Sequence, residues 1–380
     1  MARILNMLPS VPLTLYLLLT GKKLRPFIAE LTGLSQSHMR SGKHSELRET
    51  TKQRALESTK QWGMKQASKQ GWSEEEVNSY MQTAPSSVVG EPRPYADFIH
   101  GLQILGEYKL PLTIAFAEEV DKLVIRLLDA HKIGDLNAFK EAIFECNWAG
   151  GVLGSNQQEA EQLAAELLAA SGWSEVLSAV EIAFLNILFC FFAALDAEYG
   201  LIYFRRFQPR PLFLFVAPKM NSRLLNTPDK CPGRNNVRQP VRRLLELSHA
   251  LMVWGRDQGW PDRPVGRKEL GEALGLADQY IGNFFDGTRK INAQLFSEFW
   301  HQMCKTVAKC EPFLSPTPLA LAAIFWQNTI TRHPNQKLKS FILPDEVGYT
   351  RFWEWHHRRW ASQLNNEKVN WPDWLDNQPS

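Results

Sequence analysis

The densest cluster of chemically capable side chains in this sequence is Trp353-Glu354-Trp355-His356-His357-Arg358-Arg359-Trp360. Two histidines could share a metal, but adjacent positions on a helix point about 100° apart. They miss the four-residue spacing that aims two imidazoles at one ion. The pattern reads instead as a packing face of Phe352, Trp353 and Trp360, with Arg358 and Arg359 in solvent or against phosphate. Five cysteines, Cys146, Cys190, Cys231, Cys304 and Cys310, form an odd set without CxxC. His301 stands near Cys304 and Cys310, at no usual zinc spacing, so reduced thiols of a cytoplasmic protein are expected. Gly150-Gly151-Val152-Leu153-Gly154 follows no evident strand and reads as a loop. Neither GxxxxGK[ST], HExxH nor GxSxG occurs. No catalytic residue, metal or cofactor is expected, although an enzyme assembled from dispersed residues stays a third reading.

The elements that would position any site are mostly helices. At 380 residues with a net charge of +3, the chain can bury two or three domains in ordinary globular proportions. Charge is unevenly spread. Acids dominate from Glu107 to Glu198, whereas Arg205 to Arg243 carries ten Lys or Arg and one acid, Asp229. A basic surface for polyanions beside an acidic helical body is one reading, and a solvated loop is the other.

Apolar spacing predicts helices over 112–131, 135–147, 156–171 and 174–198, and again from Val241. LIYFRRF and PLFLFVA, on either side of Gln208-Pro209-Arg210-Pro211, read as a small extended or β element near 201–217. The fold class is thus mainly α. Domains are expected at 1–82 (helical), 95–200 (acidic helical), 201–236 (basic, extended or loop), 237–310 and 311–380 (Trp-rich), with a Pro/Ser linker at 83–94. Two apolar runs could mimic membrane segments: the N-terminal MARILNMLPSVPLTLYLLLTGKK and Ile182 to Leu195. The first is broken by Pro9 and Pro12. The second has fourteen residues against about twenty needed to span, so both read as core helices, with a membrane anchor as the minority reading, and no membrane partner is expected.

The most informative segment is Arg267 to Ile291, RKELGEALGLADQYIGNFFDGTRKI. Leu270, Ala273 and Leu274 share one face of a first helix, and Gly275 sits where a helix ends in left-handed backbone. In a second helix Ile281, Phe284 and Phe285 face inward, while Asp278, Gln279 and Asn283 group on the opposite side. This arrangement resembles the helix-turn-helix of the Cro/CI (Xre-like) family of bacterial and phage DNA-binding proteins. The likeness covers 237–310, with Leu244 to Trp260 as the preceding helix and Asn292 to Val307 as the following one. It implies that Asp278, Gln279 and Asn283 read bases, Tyr280 touches the backbone, and Arg267, Lys268, Arg289 and Lys290 hold phosphates. Asp278 is the awkward member, since it adds negative charge near the groove.

A weaker echo occurs at Arg25 to Ser45, where Ile28, Ala29, Gly33, Leu34 and Met39 fall at the same relative positions. There Arg25, Gln36, Ser37, Arg40 and Lys43 would make a second DNA contact. The resemblance therefore implies a non-catalytic, cytoplasmic duplex-DNA-binding protein: a regulator or recognition subunit of a bacterial or phage mobile-element or defence system. A homodimer or a protein partner would use the acidic middle. The competing expectation is a helical adaptor of such an assembly, with a purely structural corner.

Overall fold

The computed structural model describes residues 110–154, 156–217, 219–220, 237–238, 240–257, 259–285, 293–308 and 346–362, with isolated positions elsewhere such as Tyr95, Arg289, Ile291, Trp371 and Trp374. The N-terminal apolar run, the 83–94 linker, the segment with Arg25, Gln36, Ser37, Arg40 and Lys43, and also Lys290 lie outside the described residues. What is described is mainly helical, in two compact units that divide between Ala142 and Ile143.

In the first unit, α1 runs Pro111–Ile133. Proline at its first position costs no hydrogen bond, and Gly134 closes it in the left-handed region at φ 79°. Phe116, Val120, Leu123, Val124 and Leu127 bury its apolar stripe. Asp121 is buried among them because its carboxylate accepts the backbone N–H groups of Tyr95 (3.0 Å) and Ala96 (2.9 Å). The next helix, α2 (Leu136–Glu145), starts where Asp135 accepts from the Ala138 N–H at 2.9 Å and crosses the boundary between the units.

The second unit is organised on α4. Asn156 caps α3 (Gln157–Ala169) by accepting the Glu159 N–H at 2.9 Å, and α4 follows at Leu177–Tyr203. Expected ends for α1 to α3 fall within two residues of those found, but α4 runs on past Glu198 to Tyr203. With 27 residues it is long and apolar enough to cross a membrane, well beyond the fourteen-residue run visible in the sequence. The run looks short because Asp196 and Glu198 interrupt it, and both are buried. Within the protein, 83% of its most apolar stretch is covered, and Asn186 donates to the carbonyls of Val152 (3.0 Å) and Gly154 (3.3 Å). Along α4 lies α9 (Glu346–Trp360), whose Arg351 donates to Gly151 (3.3 Å) and Gly154 (3.2 Å). Both helices thus hold the Gly150–Gly154 loop by its carbonyls.

The extended element expected at 201–217 does not form among the described residues, beyond an isolated bridge position at Phe207. Leu201 to Tyr203 form the last turn of α4, and Phe213–Val216 make a 3-10 turn. A short apolar run suits a buried helical turn as well as a strand. Here Asp196 decides, since its carboxylate accepts the N–H groups of Leu212 (3.0 Å) and Phe213 (3.1 Å) and satisfies them without a ladder. The β pairing found is antiparallel and two residues long, β1 (Lys219–Met220) against β2 (Val237–Arg238), with Lys219 opposite Arg238.

The C-terminal tryptophans close an aromatic cluster. Trp371 stacks on Phe207 at 4.4 Å and lies 5.6 Å from Trp260, which itself stacks on Trp254. Their indole N–H groups donate to backbone: Trp371 to Gln208, Trp260 to Asn370 and Trp374 to Pro261.

Candidate nucleic-acid interface

Four helices build the site: α5 (Pro240–Asp257), α6 (Arg267–Leu274), α7 (Asp278–Phe285) and α8 (Ala293–Met303). The apolar framework behaves as its spacing requires. Leu270, Ala273, Leu274, Ile281 and Phe284 are buried, and Phe284 meets Phe299 of α8 edge-on at 5.4 Å. Phe285 is only half-buried, beneath the Arg242 guanidinium at 4.8 Å.

Two glycines make the corner between α6 and α7. Gly275 has φ 64°, and its N–H donates to Glu272 (3.2 Å) while the Leu276 N–H returns to Gly271 (2.8 Å). That pair of bonds is a Schellman ending. At Gly271 a Cβ would stand 2.9 Å from the Leu276 carbonyl, so only glycine lets the two helices approach this closely. Gly275→Val should cost about 1–3 kcal/mol because a β-branched residue is strained at positive φ. Thermal melting checks this, and an unchanged melting temperature would refute the corner as described.

The polar residues divide into two sets. Asp278 and Gln279 are exposed on α7, Asn283 is half-buried one turn on, and Lys268 is exposed on α6. Arg289 is exposed and lies 3.9 Å above the ring of Tyr280, its N–H bonded to the Asn283 carbonyl at 2.8 Å. A cation–π contact of this kind orients the charge without neutralising it.

Arg267, expected on phosphate, instead bridges the two helices. Its Nε lies 2.9 Å from Asp278 Oδ1, and Nε and Nη2 donate to the Asp278 carbonyl at 2.9 and 2.7 Å. This pairing offsets the charge that makes Asp278 awkward. The bridge also explains Gly282, which sequence reasoning misses: a Cβ there would lie 2.5 Å from Arg267 Nη2. A glycine inside an eight-residue helix, costing about 1 kcal/mol against alanine, is the available signal.

Among the described residues of the basic stretch 205–243, three arginines are engaged within the unit. Arg243 is buried and donates to the carbonyls of Leu214 and Ala217. Arg242 pairs with Glu246 at 2.8 Å, and Arg205 donates to Leu201 at 2.8 Å. Arg243 thereby ties α5 to the 3-10 turn, and Arg242 over Phe285 ties it to α7, whereas the Arg205 bond is local.

His356 is buried with Nε2 3.5 Å from Cys190 Sγ, and burial drives its pKa down to about 3, so it is neutral. His357 stacks on Trp353 at 4.5 Å, facing a different neighbour. Among the described residues no group of three metal-capable side chains converges, and Cys146, Cys190 and Cys304 are free thiols. A cleft of about 630 Å³ beside the Gly150–Leu153 loop is lined by Cys146, Asn147, Glu161 and Arg351 among others. Burial pushes the Cys146 thiol up to about 11, which leaves it a poor nucleophile at neutral pH. No family model matches the chain, and neither does any curated protein or solved structure.

Proposed function

We propose that this chain binds duplex DNA through the outward face of α7 and catalyses no reaction on it. One observation carries the reading: an eight-residue helix, set by a glycine corner on an apolar base, presents the exposed amide of Gln279, with the half-buried Asn283 one turn on. Side chains of this type can bond adenine edges in pairs. Lys268 and the Arg289–Tyr280 stack supply positive charge nearby, as phosphate contact requires. A cytoplasmic location accompanies this proposal, with α4 serving as a core helix. Paired half-sites are the natural target if two copies associate.

Salt titrations against random and selected duplexes test it. Gln279→Ala should weaken a preferred site by about 1–3 kcal/mol and leave random duplex nearly unaffected. Lys268→Ala should weaken all duplexes and lower the salt slope by roughly one counterion. Absence of duplex binding at low salt would hand the case to the adaptor reading.

A further inference from the structure

We infer that Arg267 reads a guanine: Asp278 and Gly282 hold its guanidinium on the outward face of α7 as a fork for O6 and N7 of one base in the major groove. The inference rests on the DNA-binding reading above and changes the role of Arg267 within it.

Three observations support it. First, the guanidinium has five N–H groups, and the bonds to Asp278 engage those on Nε and one on Nη2. Nη1 and the remaining Nη2 hydrogen form the end-on pair that matches guanine O6 and N7. Second, the side chain is about half exposed (46%) although Asp278 holds its Nε/Nη2 edge, so the fork is directed as well as accessible. Third, Gly282 follows Asp278 by one turn on the face that carries Gln279 and Asn283, and its missing Cβ makes the space in which the guanidinium lies.

Those features fit a base better than a phosphate. A phosphate contact needs charge but little direction, and a carboxylate 2.9 Å away works against it. A base contact needs a fixed fork, and a side chain already held loses less freedom when it binds. Asp278 is 65% exposed and has Oδ2 directed to no protein donor among the described residues. It can accept from a cytosine amino group, which would make the pair a reader of G·C.

The test is selection of sites from a randomised duplex pool with the full chain, followed by affinity measurements on single base-pair variants. Wild type should select a site with one G·C pair whose replacement weakens binding about ten- to a hundred-fold. Arg267→Lys keeps the charge but loses the fork, so discrimination at that pair should vanish while random-duplex affinity is retained. Gly282→Ala should act likewise by displacing the guanidinium, in a helix that alanine favours. Wild-type discrimination at every pair in Arg267→Lys would overturn the inference and leave the DNA-binding reading standing. Failure of the wild type to bind any duplex would overturn both.

Discussion

Asp196→Ala is expected to cost about 3–5 kcal/mol, a large share of the roughly 5–15 kcal/mol that holds a domain folded. The carboxyl group is fully buried and accepts from the Leu212 and Phe213 N–H groups and from the Tyr349 hydroxyl at 3.2 Å. Alanine removes the acceptor shared by two backbone donors and a phenol in a dry interior, and with it one link from α4 to α9 and one to the 3-10 turn. Asp196→Asn keeps the shape and one acceptor, so its cost should be nearer to about 1–2 kcal/mol. Urea unfolding of both variants measures the contrast. Equal stability of Asp196→Ala and wild type would show that this junction does not organise the unit.

Acidity adds a second signature at the same residue. Burial pushes the Asp196 carboxyl up to about 8 against the pull of its three donors. A folded pKa above the unfolded value means that the fold favours the protonated form. Its contribution is complete below about pH 4 and is lost as pH rises through 8. Burial works oppositely on His356, whose folded pKa of about 3 makes stability rise with pH up to its unfolded value near 6.5. The two slopes oppose each other between about pH 4 and 6.5. From 6.5 to 8 the decline due to Asp196 remains, and Asp196→Asn should flatten it. A wild-type stability that does not fall across this window would contradict the shift.

What a sequence can reveal divides by distance along the chain. Leu270, Leu274, Ile281 and Phe284 announce themselves through a period within a few residues of each other, and Gly275 through the local geometry of a helix end. Their burial and its φ of 64° follow from those neighbours alone. Asp196 misleads for the converse reason. In the chain it looks like the end of an apolar run, and only contacts 16, 17 and 153 residues away make it an interior anchor. The 201–217 segment reads as extended because that anchor is out of view. Arg267 invites a phosphate role because an arginine at a helix start is normally free. The carbonyl and carboxylate that capture it lie 11 residues on, across the corner. The buried position of His356 is likewise set by α4, 166 residues earlier.

Trp371→Ala should be comparably severe, at about 3–5 kcal/mol, because it removes a large buried aromatic that several rings share. Trp371 is 4% exposed and touches Phe207, Phe215 at 4.7 Å, Trp260 and Phe204. Its Nε1 donates to Gln208 at 3.3 Å, 163 residues away, so the ring ties the C-terminal segment to the end of the α4 connection. Trp260 of the same cluster stands in the loop between α5 and α6, seven residues before α6 begins. Loss of Trp371 should therefore loosen the base from which the corner rises, as well as lower global stability. Trp371→Phe retains a ring for stacking but loses the indole donor, and should cost only about 1 kcal/mol of hydrogen bonding plus the smaller contact area. Thermal melting gives the order wild type, Trp371→Phe, Trp371→Ala. Hydrogen exchange at α6 amides should rise in Trp371→Ala before that of the α4 interior, since the clasp lies next to the first and acts on the second only through the shared rings. If Trp371→Ala melts with wild type, the C-terminal tryptophans rest on the surface and the clasp does not exist.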